Sequence, residues 1–179
     1  MTTRGSVGVP NEFETVEEIK KYVSVTLTCA AAGNYTAGDV MSASATGDAG
    51  TATAVPVGGR GEIVNVRQVI AVCSEDSVLN RLRLHFYNYN PAAADVEMDD
   101  NAAGDFAKNA TGAAGYLGSI TLNAFRDGGT SMAVSETNFI DKLLVCSATL
   151  GSLYMVVETL DDETNETASM TIRFDFYIS

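Results

Sequence analysis

Basic side chains are scarce in this chain: 11 Lys and Arg stand against 23 Asp and Glu, leaving a net charge of −12 over 179 residues. No local cluster of Lys or Arg offsets that balance. Phosphate backbones and anionic bilayers are therefore repelled, and neither nucleic acid nor membrane is an expected partner. Histidine occurs once, at His85, and the three cysteines, Cys29, Cys73 and Cys146, are far apart with no CxxC spacing. Zinc needs three or four converging ligands, which this set does not supply. Tryptophan is absent, which weighs against a sugar-binding platform of large exposed aromatics. No run of about 18 apolar residues suggests a membrane span. The opening MTTRGSVGVPNEF also lacks the apolar stretch of a signal peptide, so no leader is expected.

Chemical signatures are equally sparse. There is no GxSxG, and GGRG at Gly58 to Gly61 lacks the Lys-Ser/Thr of a phosphate-binding loop, so it reads as a turn. No cofactor is expected. Asp95, Glu97, Asp99, Asp100, Asn101 and Asp105 crowd one loop, and Asp161, Asp162, Glu163 and Glu166 another. Neither has the alternation, glycine and closing Glu of a calcium-binding hand, so solvated loop carboxylates are the expectation. A hydrolase built on paired acids depends on a spatial separation that sequence does not give. An odd number of cysteines in apolar surroundings points to buried thiols rather than disulfides, and to assembly in a reducing compartment. Sequons at Asn34, Asn109 and Asn165 are chance matches in a Thr-rich chain.

What is present is a strand grammar. Charged residues are 19% of the chain, below the usual quarter or so, and Gly, Ala, Ser, Thr and Asn fill the gap. In the terminal MTIRFDFYIS, Met170, Ile172, Phe174, Phe176 and Ile178 alternate with polar partners, a period that places all five on one face of a strand. The same alternation sets Val23, Val25, Leu27 and Cys29 on one side of KYVSVTLTC. Shorter strands are expected over Val40 to Ala45 and Thr51 to Val57. Glu62 to Cys73 reads as a long strand whose phase slips between Val66 and Val69, predicting a bulge near Arg67-Gln68. Leu79 to Tyr87, Tyr116 to Ala124, Ser131 to Ser135, Leu143 to Ser147 and Leu150 to Thr159 complete the set. Residues 92–114 read as a long surface excursion with one helical turn near Asp105 to Asn109. Nine or ten strands with no helix beyond two turns predict an all-β antiparallel sandwich or barrel. Residues 1–21 read as an N-terminal arm with a short helix over Glu14 to Lys21, and 22–179 as a single domain.

One polar constellation stands out. Leu82, Leu84 and Phe86 are expected to face inward, leaving Arg81, Arg83, His85 and Tyr87 outward in a row on an otherwise acidic protein. Either they balance acids on the adjacent strand, or they form part of a subunit or docking interface, where Arg and Tyr are enriched. A catalytic role for His85 in a Ser-His-Asp arrangement is the weaker alternative.

The order of segments carries a resemblance. GGRGEIVNVRQVIAV is followed by the acidic SED, then LRLHFYNYNP, the polar Asp100 to Ala103, YLGSITL, and the closing pair LGSLYMVVET and MTIRFDFYI. Over residues 22–179 this resembles small structural proteins of tailed bacteriophages and environmental viral genomes that decorate or cement the capsid. The resemblance implies a jelly-roll-like β-sandwich, often trimeric, assembled in the host cytoplasm and seated on the virion surface against the major capsid protein. The arm, with Arg4 and Phe13, departs from the resembling part and is the element expected to reach a neighbour. The resemblance carries over no catalytic, metal or cofactor residue. The competing expectation is a receptor- or carbohydrate-binding sandwich of a phage fibre, with its contacts gathered in the 88–114 loop.

Overall fold

The computed structural model describes residues 21–30, 34–43, 52–75, 80–129, 132–137, 140–162 and 170–179. Arg4, Phe13 and all of the expected arm but Lys21 lie outside these residues, as do Glu163 and Glu166 of the second acidic loop. The described chain begins with strands β1 (Lys21–Thr28), β2 (Val40–Met41), β3 (Thr53–Val55), β4 (Ile63–Cys73) and β5 (Leu82–Tyr87). A short helix α1 (Ala110–Gly115) leads into β6 (Tyr116–Thr121) and β7 (Arg126–Asp127). Then come β8 (Ala133–Glu136), β9 (Lys142–Val145), β10 (Leu153–Thr159) and β11 (Thr171–Ile178). β7 falls outside the strands expected from the sequence.

Two antiparallel sheets pack face to face. A six-stranded sheet runs β1-β11-β4-β8-β7 with β9 also on β4, and a five-stranded sheet runs β2-β10-β5-β6 with β3 also on β10. The terminal alternation places β11 between β1 and β4, and all five of its predicted apolar residues are buried. The slip in β4 is real: Tyr177 pairs with Gln68 and Ile178 with Val66, so Arg67 is the extra residue. A bulge lets Val64, Val66, Val69, Ala71 and Cys73 all point inward despite the odd spacing. The bend also marks where the far edge of β4 changes partner, from β8 over Ile70–Cys73 to β9 over Ile63–Val66.

The main core lies between the sheets, with Phe86 of β5 meeting Phe176 of β11 edge-on at 6.1 Å between ring centroids. Each such ring removed from water stabilises the fold by about 1.5–3 kcal/mol. Two strands depart from a one-sided pattern. Every residue of β10 is buried, and so are all of β5 except Arg83. A strand buried on both faces needs a third layer, and residues 88–115 supply it.

That segment corrects the expectation of a surface excursion. Val96, Met98 and Phe106 are turned down onto the outer face of the five-stranded sheet, where they pack with Val40, Tyr87, Tyr154 and Val156 as a second apolar cluster. The segment is stitched along its edge by an isolated bridge between Asp39 and Ala103 and by Val40 N–H donating to the Ala102 carbonyl. Its helical turn falls at 110–115, not 105–109, because Asn109 serves as the N-cap, accepting from Gly112 N–H at 2.9 Å.

Candidate functional site

The alternation of β5 sends Leu82, Leu84 and Phe86 into the main core and Arg83, His85 and Tyr87 to the opposite face. On β10 the same period puts Tyr154, Val156 and Glu158 on that face, with Val156 opposite His85 and Glu158 opposite Arg83. Glu158 thus stands in an apolar strand with two nitrogenous side chains beside it. One of its carboxylate oxygens, Oε2, accepts from Arg83 Nη1 at 3.2 Å and from His85 Nε2 at 2.9 Å. The other imidazole nitrogen, Nδ1, is 3.1 Å from the Tyr116 hydroxyl at the start of β6. Phe106 of the covering segment lies flat on the imidazole, ring centroids 3.6 Å apart and planes 6° from parallel.

Burial pushes the His85 pKa below that of an ordinary histidine. The hydrogen bond and charge of Glu158 oppose this without overcoming it, and Arg83 adds to it. The ring is therefore neutral at pH 7. With a carboxylate at Nε2, the proton belongs on that nitrogen, and Nδ1 accepts from the Tyr116 O–H. Tyr116, His85 and Glu158 form a short proton-ordered chain, arranged like the orienting half of a nucleophilic triad. The ring is only 5% exposed and capped by a phenyl group. What the chain does here is join three strands and the covering segment through one side chain.

The outward row expected from the sequence therefore divides. Arg81 is exposed and pairs with Asp161, its Nη2 2.6 Å from Oδ1, an interaction that draws the Asp161 carboxyl down and the guanidinium up. Arg83 is half-buried. His85 and Tyr87 occupy the predicted face of the strand, yet Tyr87 is fully buried and donates its hydroxyl to the Phe106 carbonyl at 2.9 Å. Neither offers an outer docking surface, and the correction has one cause: the segment after the strand folds back over it. Of the row, Arg83 pairs with an acid of the adjacent strand, Glu158, and Arg81 with Asp161 just beyond that strand. Sequence reasoning missed Glu158, Phe106 and Tyr116. Two signals pointed at them: a lone carboxylate inside the apolar LYMVVET, and the only aromatic between 92 and 114.

The crowded carboxylates are committed locally. Asp95 accepts from Asn109, which lowers its pKa, and Glu97 meets Lys108 Nζ at 2.8 Å. Asp100 accepts from the Tyr35 hydroxyl at 2.6 Å and from Ser42 N–H at 2.7 Å. Among the described residues no three His, Cys, Asp or Glu converge as metal ligands would. Cys29, Cys73 and Cys146 are buried and in no disulfide.

The other notable surface is apolar. At one end of the six-stranded sheet Ile63 pairs across with Val145, and Leu143 stands beside them opposite Asn65. Their exposures are 63% for Ile63, 67% for Leu143 and 39% for Val145, and Leu150 in the nearby turn is 64% exposed. The Leu150-Gly151 turn sits against the backbone of Gly58 to Arg60. The chain matches no protein-family model, no curated protein and no solved structure.

Proposed function

We propose that this chain is a virion structural protein, a capsid decoration or cement protein that binds the major capsid protein and stabilises the head, acting as a trimer. The observation that carries the reading is the asymmetry of the two outer sheet faces. One is closed by the chain's own residues 88–115, while the other leaves Ile63, Leu143, Val145 and Leu150 in water. Such a molecule offers contact area in place of a reacting centre.

Strand order supports the jelly-roll form of the proposal. Taking β2 with β3 and β8 with β9 as single interrupted strands, and β7 as an edge appendage, leaves eight runs. Their order is first-eighth-third-sixth in one sheet and second-seventh-fourth-fifth in the other. That order matches the double Greek key of a jelly roll, a form used by capsid proteins and lectins alike. Fold alone does not choose between those uses.

The size of the patch bears on the choice. Four side chains expose on the order of a few hundred Å², as large as the main patch of an ordinary monomer. That is below the roughly 800 Å² per partner of an independently stable pair. A weak contact of this kind becomes durable when repeated, as it is when a trimer meets a lattice of identical subunits. The fibre-module reading needs aromatics displayed in the 88–114 loop, whereas Phe106 faces down onto His85.

Replacing Leu143 and Val145 together by Asp tests the proposal. The variant is expected to fold and sediment as the parent does, but to bind purified heads at least tenfold more weakly. Equal binding by both proteins, or no association of the parent with heads, would overturn it.

A further inference from the structure

We infer that His85 is an acid-operated latch, holding residues 88–109 over the five-stranded sheet at neutral pH and releasing them as the solution acidifies. The argument rests on where the imidazole sits. It binds β10 through Glu158, β6 through Tyr116 and the covering segment through Phe106.

The Tyr116 contact is tuned to the neutral ring. Nδ1 uses its lone pair to accept from Tyr116; protonation fills that lone pair and forces the phenol to turn its own hydrogen elsewhere. The groups facing the ring leave little to neutralise a new cation. From β5 comes Arg83, already a cation on the same Glu158 oxygen. From β10 comes Glu158, a single carboxylate that would then serve two cations. From β6 comes the uncharged Tyr116. From the covering segment comes the uncharged Phe106, with Asp105 its chain neighbour. An imidazolium gains some attraction from the face of Phe106, yet burial still outweighs Glu158 in setting the direction of the shift.

The sign follows. A histidine exposed by an opened segment titrates near ~6.5. The closed form binds its proton only below that value, so acid favours the open form. Closure is at full strength above the exposed value and weakens as pH falls from there to the closed-state value. Each unit separating the two converts to about tenfold in the open-to-closed ratio. Opening uncovers Tyr87, Val96, Met98, Tyr154 and Val156, a second apolar face that is sealed at neutral pH.

Because His85 is the chain's only histidine, its ring proton resonance is unambiguous. Titration of the native protein by NMR is expected to give a pKa below that of an exposed histidine. Hydrogen exchange, corrected for intrinsic rates, is expected to show protection of 92–107 falling several-fold between pH 7.5 and 5.5 while β1, β4 and β11 hold theirs. His85→Gln, which keeps a donor but does not titrate, is expected to abolish that pH dependence. Tyr116→Phe, which keeps the ring and removes the hydroxyl, is expected to make it shallower. A histidine titrating at or above 6.5, exchange that does not respond to pH, loosening of both sheets together, or the same pH dependence in His85→Gln would each overturn the latch.

Discussion

Asp175 shows how a residue can follow the sequence pattern and still escape its meaning. The alternation of β11 puts it on the outer face of the six-stranded sheet, where a carboxylate is expected to be solvated. It is instead buried, accepting from Tyr22 at 2.9 Å and Ser24 at 2.8 Å on β1, with Arg173 alongside. Burial pushes its carboxyl pKa up, but the hydrogen bonds from Ser24, Tyr22 and Arg173 together outweigh that and hold it below the ordinary range. Native stability from this group is therefore complete above the ~3.9 of an exposed aspartate. It is lost as pH falls through the lower native value, since the unfolded chain takes the proton first. Asp175→Asn is expected to lose about 1–3 kcal/mol in urea unfolding at pH 7. The gap from the parent should narrow below pH 4; a constant gap at all pH values would show that the charge contributes nothing.

At the scale of elements, the covering segment 88–115 packs closely against its own backbone. A Cβ placed on Gly112 would lie 2.4 Å from the Asp95 carbonyl oxygen, and one on Gly115 would meet the Tyr89 ring at 2.1 Å. A side chain can swing aside, but a carbonyl held in a turn cannot. Gly112→Ala is expected to cost about 1–3 kcal/mol, with loss of exchange protection confined to residues 92–109 and the main sandwich unaffected. Unchanged protection there would mean that α1 moves freely relative to the turn at Asp95. The strands were the readable elements, since a period of two over six or more residues has few structural alternatives. β1, β4, β5, β10 and β11 all lie where strands are expected from the sequence, and the bulge at Arg67 was visible as a phase slip. The covering segment was not readable, because three anchors, Val96, Met98 and Phe106, scattered through small and acidic residues leave no period to detect.

For the whole molecule, the two packed sheets seal the thiols. Cys29, Cys73 and Cys146 are each at most 1% exposed, and burial raises the Cys146 thiol further from reactivity. All three are expected to react with a soluble disulfide reagent at the rate of global unfolding; a fast native phase for any one would reveal a separately opening region. The candidate site belongs to this scale too. His85, Glu158, Tyr116 and Phe106 come from four places in the chain, and only pairing of β5 with β10 and β6, followed by folding of 88–115 across them, brings them within contact. The sequence by itself determined the strand class, the two faces of each strand and the inward residues, because side-chain alternation is a local property of the backbone. Only the tertiary structure decided which of those faces meets water. An alternating strand says that its two sides differ, but whether the polar side is solvated depends on a distant segment coming to lie over it.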